Sequence, residues 1–146
     1  MSNIALSIKG LTVNYGAIQA VKGIDIEVHE GSVVALLGAN GAGKTSTLRT
    51  ISGLTPASGG KIEFYGKDIT NMDTEKIARL GVAQSPEGRQ IFGDLTVEEN
   101  LKVGAFTVKD RKTIQKCYDR CYRYFPRLAE RKRQMAYTLS GGELQM

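Results

Sequence analysis

Apolar and polar residues alternate from Ile4 to Tyr15 and again over residues 24–28, the period of two that marks strands with one buried face. Residues 33–37 (Val-Val-Ala-Leu-Leu) interrupt the alternation with a continuous apolar run, which predicts a strand covered on both faces. A glycine-rich turn follows, and then a helix is expected to about Ser52, where Gly53 and Pro56 act as stop signals. Residues 61–65 predict a further short strand, residues 74–80 a helix, and residues 81–83 the start of another strand. Past residues 86–88 the period changes to that of helices, over roughly 96–106 and 110–125. The expected organisation is α/β: N-terminal antiparallel strands, a partial core sheet and an inserted helical segment.

Composition narrows the class. The 146 residues suit one domain, and 41% hydrophobic with 24% charged residues excludes a disordered or fibrous chain. No apolar stretch approaches the ~20 residues of a spanning helix, and the first residues do not read as a leader. Two cysteines make no disulfide framework, which fits a reducing, cytoplasmic setting.

The formal charge of +5 is unevenly placed. Residues 107–133 hold ten basic and three acidic side chains, so this window carries +7 and the remainder −2. The apolar residues Ile114, Cys117, Tyr118, Cys121, Tyr122, Phe125 and Leu128 recur there at helical spacing, with the bases between them. That pattern predicts a solvated or partner-facing helix face, and no nucleic acid is expected. Cys117 and Cys121 fall on the apolar stripe and are expected to pack. The single histidine, His29, lies far from them in sequence, so no metal set forms.

The chemistry concentrates in Gly38-Ala39-Asn40-Gly41-Ala42-Gly43-Lys44-Thr45, which fits G-x-x-x-x-G-K-[ST] with a predicted strand before it and a helix after it. Glycines let successive backbone N–H groups approach phosphate oxygens with no side chain in the way. The helix start adds its dipole and unpaired N–H groups. Lys44 supplies a positive charge for the β- and γ-phosphates, and the Thr45 hydroxyl is the expected Mg²⁺ ligand.

Leu139-Ser140-Gly141-Gly142-Glu143, with Ser140 lying 96 residues after Lys44, resembles the signature motif of ABC-type ATPases, usually Leu-Ser-Gly-Gly-Gln. The resemblance runs the length of the chain and implies a P-loop NTPase fold of the ABC nucleotide-binding type, incomplete at its C-terminal side. It implies three regions: the β-rich start and phosphate-loop core (1–86), a helical subdomain (87–138) and the signature (139–146). Tyr15 matches the family's adenine-stacking aromatic and Ser46 a hydroxyl near the α-phosphate. Residues 95–101 match the segment that opens the helical subdomain. The signature is implied to meet the nucleotide held by an opposing, homologous ATP-binding subunit in a head-to-tail dimer.

The family also places a glutamine between core and helical subdomain, near Mg²⁺ and the attacking water. Gln84 is the obvious candidate, but counting six residues on from Gly81 and eight back from Leu95 reaches Glu87 in both directions. Glu87 is therefore the expected second Mg²⁺ contact, a carboxylate replacing an amide.

Residues 86–92, 124–131 and 138–146 further resemble the second ATP-binding subunit of branched-chain amino-acid importers. Urea or amide importers share much of that series; a ribosome- or nucleic-acid-associated ABC protein and a non-functional remnant are the other readings. The resemblance implies ATP and Mg²⁺ as cofactors and membrane permease subunits as partners, with a solute-binding protein acting indirectly. It implies a peripheral position on the cytoplasmic face of the inner membrane. No apolar strand in the sequence ends in the Asp-Glu pair that supplies the family's general base, so ATP binding without hydrolysis is expected of these residues.

Overall fold

The break in parity along the first strand organises the N-terminal part of the protein. In the computed structural model, which describes residues 3–86, 88 and 90–146, β1 (Ile4–Tyr15) and β2 (Ile18–His29) pair antiparallel. Ile8, Leu11 and Val13 are all fully buried, although a strict period of two would not put residues 8 and 11 on one face. Register shifts between Ile8 and Leu11 resolve this: a bulge absorbs the extra residue, with Gly10 at φ +58°. The Gly10 N–H, taken out of the ladder, donates to Asp25 Oδ1 at 2.6 Å.

On its other side β1 pairs antiparallel with β3 (Gly59–Phe64), which in turn pairs with the two-residue β4 (Lys67–Asp68), giving the order β2-β1-β3-β4. The buried face of this sheet, with Val21, Ile62 and Ile69, meets Ile77 of α2 (Thr74–Arg79). This is the main core.

The next helix, α1 (Lys44–Ile51), follows the phosphate loop and buries Thr47 and Thr50. Both hydroxyls donate to backbone carbonyls four residues earlier, Gly43 and Ser46, so burial leaves neither unsatisfied.

Two expected strands do not form. Residues 33–37 lie outside every strand and ladder, with Val33 97% and Leu37 88% exposed. Such a run is stable as a strand only between hydrogen-bonding neighbours, and among the described residues no segment pairs with it. Residues 81–83 likewise lie outside every strand; Gly81, at φ +100°, ends α2 in a turn.

The chain divides into two compact units, Met1–Gln84 and Ser85–Met146. The second unit is helical: α3 (Val97–Gly104), α4 (Arg111–Tyr124) and α5 (Pro126–Glu130), with short 3₁₀ turns at Ala136–Thr138 and Glu143–Gln145. Each longer helix starts on a side-chain cap. Thr96 and Glu99 form a reciprocal capping box on α3, and Asp110 accepts from the Lys112 and Thr113 N–H groups on α4.

Backbone bonds tie the start of α3 to the segment before the signature. Val97 N–H donates to Gln134 O at 3.0 Å, Glu98 N–H to Lys132 O at 2.9 Å and Ala136 N–H to Leu95 O at 2.9 Å. Val97, Leu128 and Ala136 are buried in this unit. α4 has no fully buried residue, so Cys117 and Cys121 are half-buried flank residues and not the core pair that the stripe predicted. Among the described residues no helix is long and apolar enough to cross a membrane.

Candidate functional site

Glycine conformation shapes the phosphate loop. Gly41 and Gly43 adopt φ +83° and +87°, in the left-handed region that other residues avoid. A Cβ on Gly43 would collide with the Ala20 carbonyl oxygen and come to 3.1 Å from Val21 Cγ2. The loop is thus pressed against β2, and Gly43 leads directly into α1 as its N-cap. No side chain caps that helix, so its first N–H groups have no side-chain acceptor.

Lys44 folds back over the loop. Its Nζ donates to the Gly38 and Ala39 carbonyls at 2.8 and 2.7 Å, which holds the ammonium across the turn. Thr45 is exposed on the first turn of α1. Ala39, Asn40 and Ala42 complete the turn, where Ala42 N–H donates to Ala39 O at 3.2 Å. The donor set fits a polyphosphate: an uncapped helix start, a cradle that a Cβ at Gly43 would disrupt, and the Lys44 ammonium held across the turn. It also fits Mg²⁺, which keeps most of its water and needs only one or two protein oxygens beside the phosphates.

Tyr15, at the end of β1, is brought to this loop. Its hydroxyl donates to Ser46 Oγ at 3.4 Å while the residue stays 48% exposed. The Ser46 hydroxyl, with Thr55 and Arg49 nearby, holds the Tyr15 phenol below its ordinary pKa. A cavity of about 490 Å³ adjoins the loop, with Lys44 and Thr47 on one side and Val21, Ile24, Leu36 and Leu37 on another. Gln19 and Lys22 also line it, so the cavity is of mixed polarity.

The second predicted site, Leu139 to Glu143, is also a turn at a helix start, but it is closed by its own side chain. Ser140 N–H and Oγ both donate to Glu143 Oε2, at 2.9 and 2.7 Å, and Glu143 N–H returns a bond of 3.4 Å to Ser140 Oγ. This is a capping box. The Ser140 hydroxyl and amide, followed by Arg131 and Arg127, hold the Glu143 carboxyl below its ordinary range. Arg131 Nε lies 3.1 Å from Glu143 Oε1. Gly141 and Gly142 sit between the capping partners, and Leu139 is half-buried.

Glu87 lies outside the described residues. Gln84 lies within them and accepts the Ser52 hydroxyl at the C-terminus of α1, a structural contact that sequence counting left without a role. Arg131 falls in the basic window and closes the 124–131 stretch, but neither pattern pairs it with Glu143. Among the described residues no group of three or more His, Cys, Asp or Glu side chains gathers as a metal cluster.

Known proteins resemble this chain in sequence and fold. A family model described as ABC transporter matches residues 21–146. The high-affinity branched-chain amino acid transport ATP-binding protein BraG of Pseudomonas aeruginosa is 44% identical over 142 residues, covering 97% of this chain and 60% of that protein. A probable branched-chain amino acid transport ATP-binding protein, LivF of Archaeoglobus fulgidus, is 35% identical over 136 residues, covering 93% and 57%. Among solved structures, an ATP-binding subunit of an ABC transporter superposes with a TM-score of 0.86 at 30% identity, over 97% of this chain and 58% of that one. A nucleotide-free ATP-binding cassette gives 0.76 at 26%, over 97% and 61%. The chain thus spans about 60% of the length of the curated relatives described here.

Proposed function

Because the chain belongs to the ABC transporter family, we propose that it is the ATP-binding part of an importer for branched-chain or related hydrophobic amino acids. The observation that carries this reading is the loop from Gly38 to Thr45. Its glycine geometry, uncapped helix start and folded-back lysine together make a polyphosphate site. The two branched-chain transport relatives support the substrate class.

In this reading the N–H groups at the start of α1 receive the phosphate oxygens, and Lys44 exchanges its two carbonyl acceptors for the β- and γ-phosphates. Tyr15 offers its exposed ring to adenine, and Ser46 stands beside the α-phosphate. Thr45 and Glu87 would hold Mg²⁺, whose charge, when bound, screens the phosphate oxygens from one another. Leu139 to Glu143 meets the nucleotide of an opposing ATP-binding subunit. Membrane permease subunits receive the coupling on the cytoplasmic face, with a solute-binding protein upstream. The basic helical segment, residues 107–133, is the permease-proximal region. These 146 residues supply groups that bind and position phosphate but no general base, so the polypeptide holds ATP without turning it over.

Titration of the purified chain with ATP and Mg²⁺ tests this. Saturable binding that Lys44→Ala weakens is the expected result. Affinity unaffected by Lys44→Ala would overturn the loop assignment, and phosphate release abolished by Lys44→Ala would overturn binding without turnover.

A further inference from the structure

We propose that Arg131 is a positioning residue for the Ser140 turn. Through its ion pair with Glu143 it holds that carboxylate against both Ser140 donors, and so controls whether the hydroxyl faces inward or is given to an incoming phosphate. The inference deepens the reading above, in which the Ser140 turn meets a phosphate.

The geometry assigns Glu143 two faces. Oε2 takes both Ser140 donors, the place that an oxygen of an external anion would take, while Oε1 faces the Arg131 guanidinium. Arg131 is itself fixed from its own segment: its backbone N–H donates to Arg127 O at 3.2 Å and its Nη1 to Gln134 Oε1 at 3.4 Å. Gln134 continues the chain of contacts through its amide to Thr138 Oγ1 at 2.6 Å, two residues short of the turn. Arg131 and Glu143 expose 35% and 13% of their side chains, so the pair is partly withdrawn from water. The other base acting on Glu143 is Arg127, which pairs with Glu130 at 3.3 Å.

The chemical consequence has a sign. A glutamate in a phosphate-binding turn repels phosphate unless its charge is matched, and Arg131 matches it. Losing Arg131 leaves a bare carboxylate that both repels the phosphate and competes for the Ser140 hydroxyl. Losing the Glu143 charge removes the need for Arg131. A purely structural cap predicts the opposite order, with Glu143→Gln at least as harmful as Arg131→Gln.

The first test follows the Ser140 amide by NMR through an acid titration of the intact chain. In the wild type it reports the protonation of Glu143. Arg131→Gln should move the midpoint upward, Arg131→Lys should restore it in part, and Glu143→Gln should abolish the transition. The Thr96 amide, bonded to Glu99, should not change in any of them. One midpoint common to the wild type and both Arg131 variants would overturn the proposal.

The second test measures ATP-dependent self-association by sedimentation. Arg131→Gln should weaken it by about tenfold, and Arg131→Lys, which keeps the charge facing Glu143, should restore it in part. Equal weakening by Glu143→Gln and Arg131→Gln would overturn the electrostatic part. A wild-type chain that never self-associates with ATP would remove the phosphate-facing reading of the turn, while the amide titration would still decide whether Arg131 positions Glu143.

Discussion

Two glycine turns stand at helix starts in this protein, and they are kept in opposite states. The turn from Gly38 to Thr45 is set by backbone geometry, and no side chain caps the helix that follows it. The turn from Ser140 to Glu143 is set by side chains, with the Glu143 carboxylate satisfying both Ser140 donors. The first turn leaves its helix start without a side-chain acceptor; the second carries a carboxylate acceptor of its own. A glycine-rich helix start is therefore not one kind of site, and what distinguishes the two is where the acceptor comes from.

The sharpest way to break that contrast is to add one methyl group to each turn. At Gly43 an alanine must adopt a left-handed φ and push its Cβ into the Ala20 carbonyl oxygen. Strain of about 1–2 kcal/mol from the backbone and about 1–3 kcal/mol from the overlap should lower the urea midpoint severely. At Gly142 φ is −71° and nothing lies within 4 Å of an added Cβ, so Gly142→Ala should leave the midpoint nearly unchanged. Equal effects at the two positions would show that the first turn is not geometrically fixed.

Next in size is the loss of the external anion's partner: Lys44→Ala should weaken ATP by roughly ten- to a hundredfold, the worth of one charge-assisted contact, measured by calorimetric titration. Smaller again is the cap on α3. Thr96→Ala opens the same kind of box that closes the Ser140 turn and should cost about 1 kcal/mol in thermal or urea unfolding.

Acid should produce the smallest change and should act through the caps of the helical unit. Thr96 lowers the Glu99 carboxyl through its backbone N–H and then its hydroxyl, and Thr113 lowers Asp110 in the same manner, hydroxyl first; Ser140 does so for Glu143. A carboxyl depressed on folding contributes stability above its ordinary pKa, and that contribution is lost as pH falls through the depressed value. Amide protection at the starts of α3, α4 and the Glu143–Gln145 turn should therefore hold steady at neutral pH and decline below the ordinary carboxylate range. Protection that declines on the alkaline side of that range would contradict the assignment.

Much of this was legible in the chain itself, where the information is local. Strand β1, helix α4 with its Asp110 start, and the phosphate loop all follow from spacing within a few residues. The antiparallel start and helical segment follow the same way. Residues 33–37 show the limit: their apolar run specifies a strand, but a strand exists only with a neighbour, and pairing is not encoded in the run. The bulge at Gly10 was hidden because alternation says nothing about where parity slips. Arg131 and Glu143 are 12 positions apart with a turn between them, so their pairing is a property of the folded unit alone.

The backbone bonds that join Gly93, Leu95, Val97 and Glu98 to residues 132–137 have a topological consequence. They staple together the two ends of an excursion that contains most of α3, all of α4 and all of α5. Residues inserted within α4 lengthen a loop that is already closed, and the entropy of such a loop grows only logarithmically with its length. The basic helix can thus be extended, trimmed or exchanged as a cassette while Ser140 keeps its place at the end of the stem. Variation in what this surface contacts is decoupled from the turn that follows it.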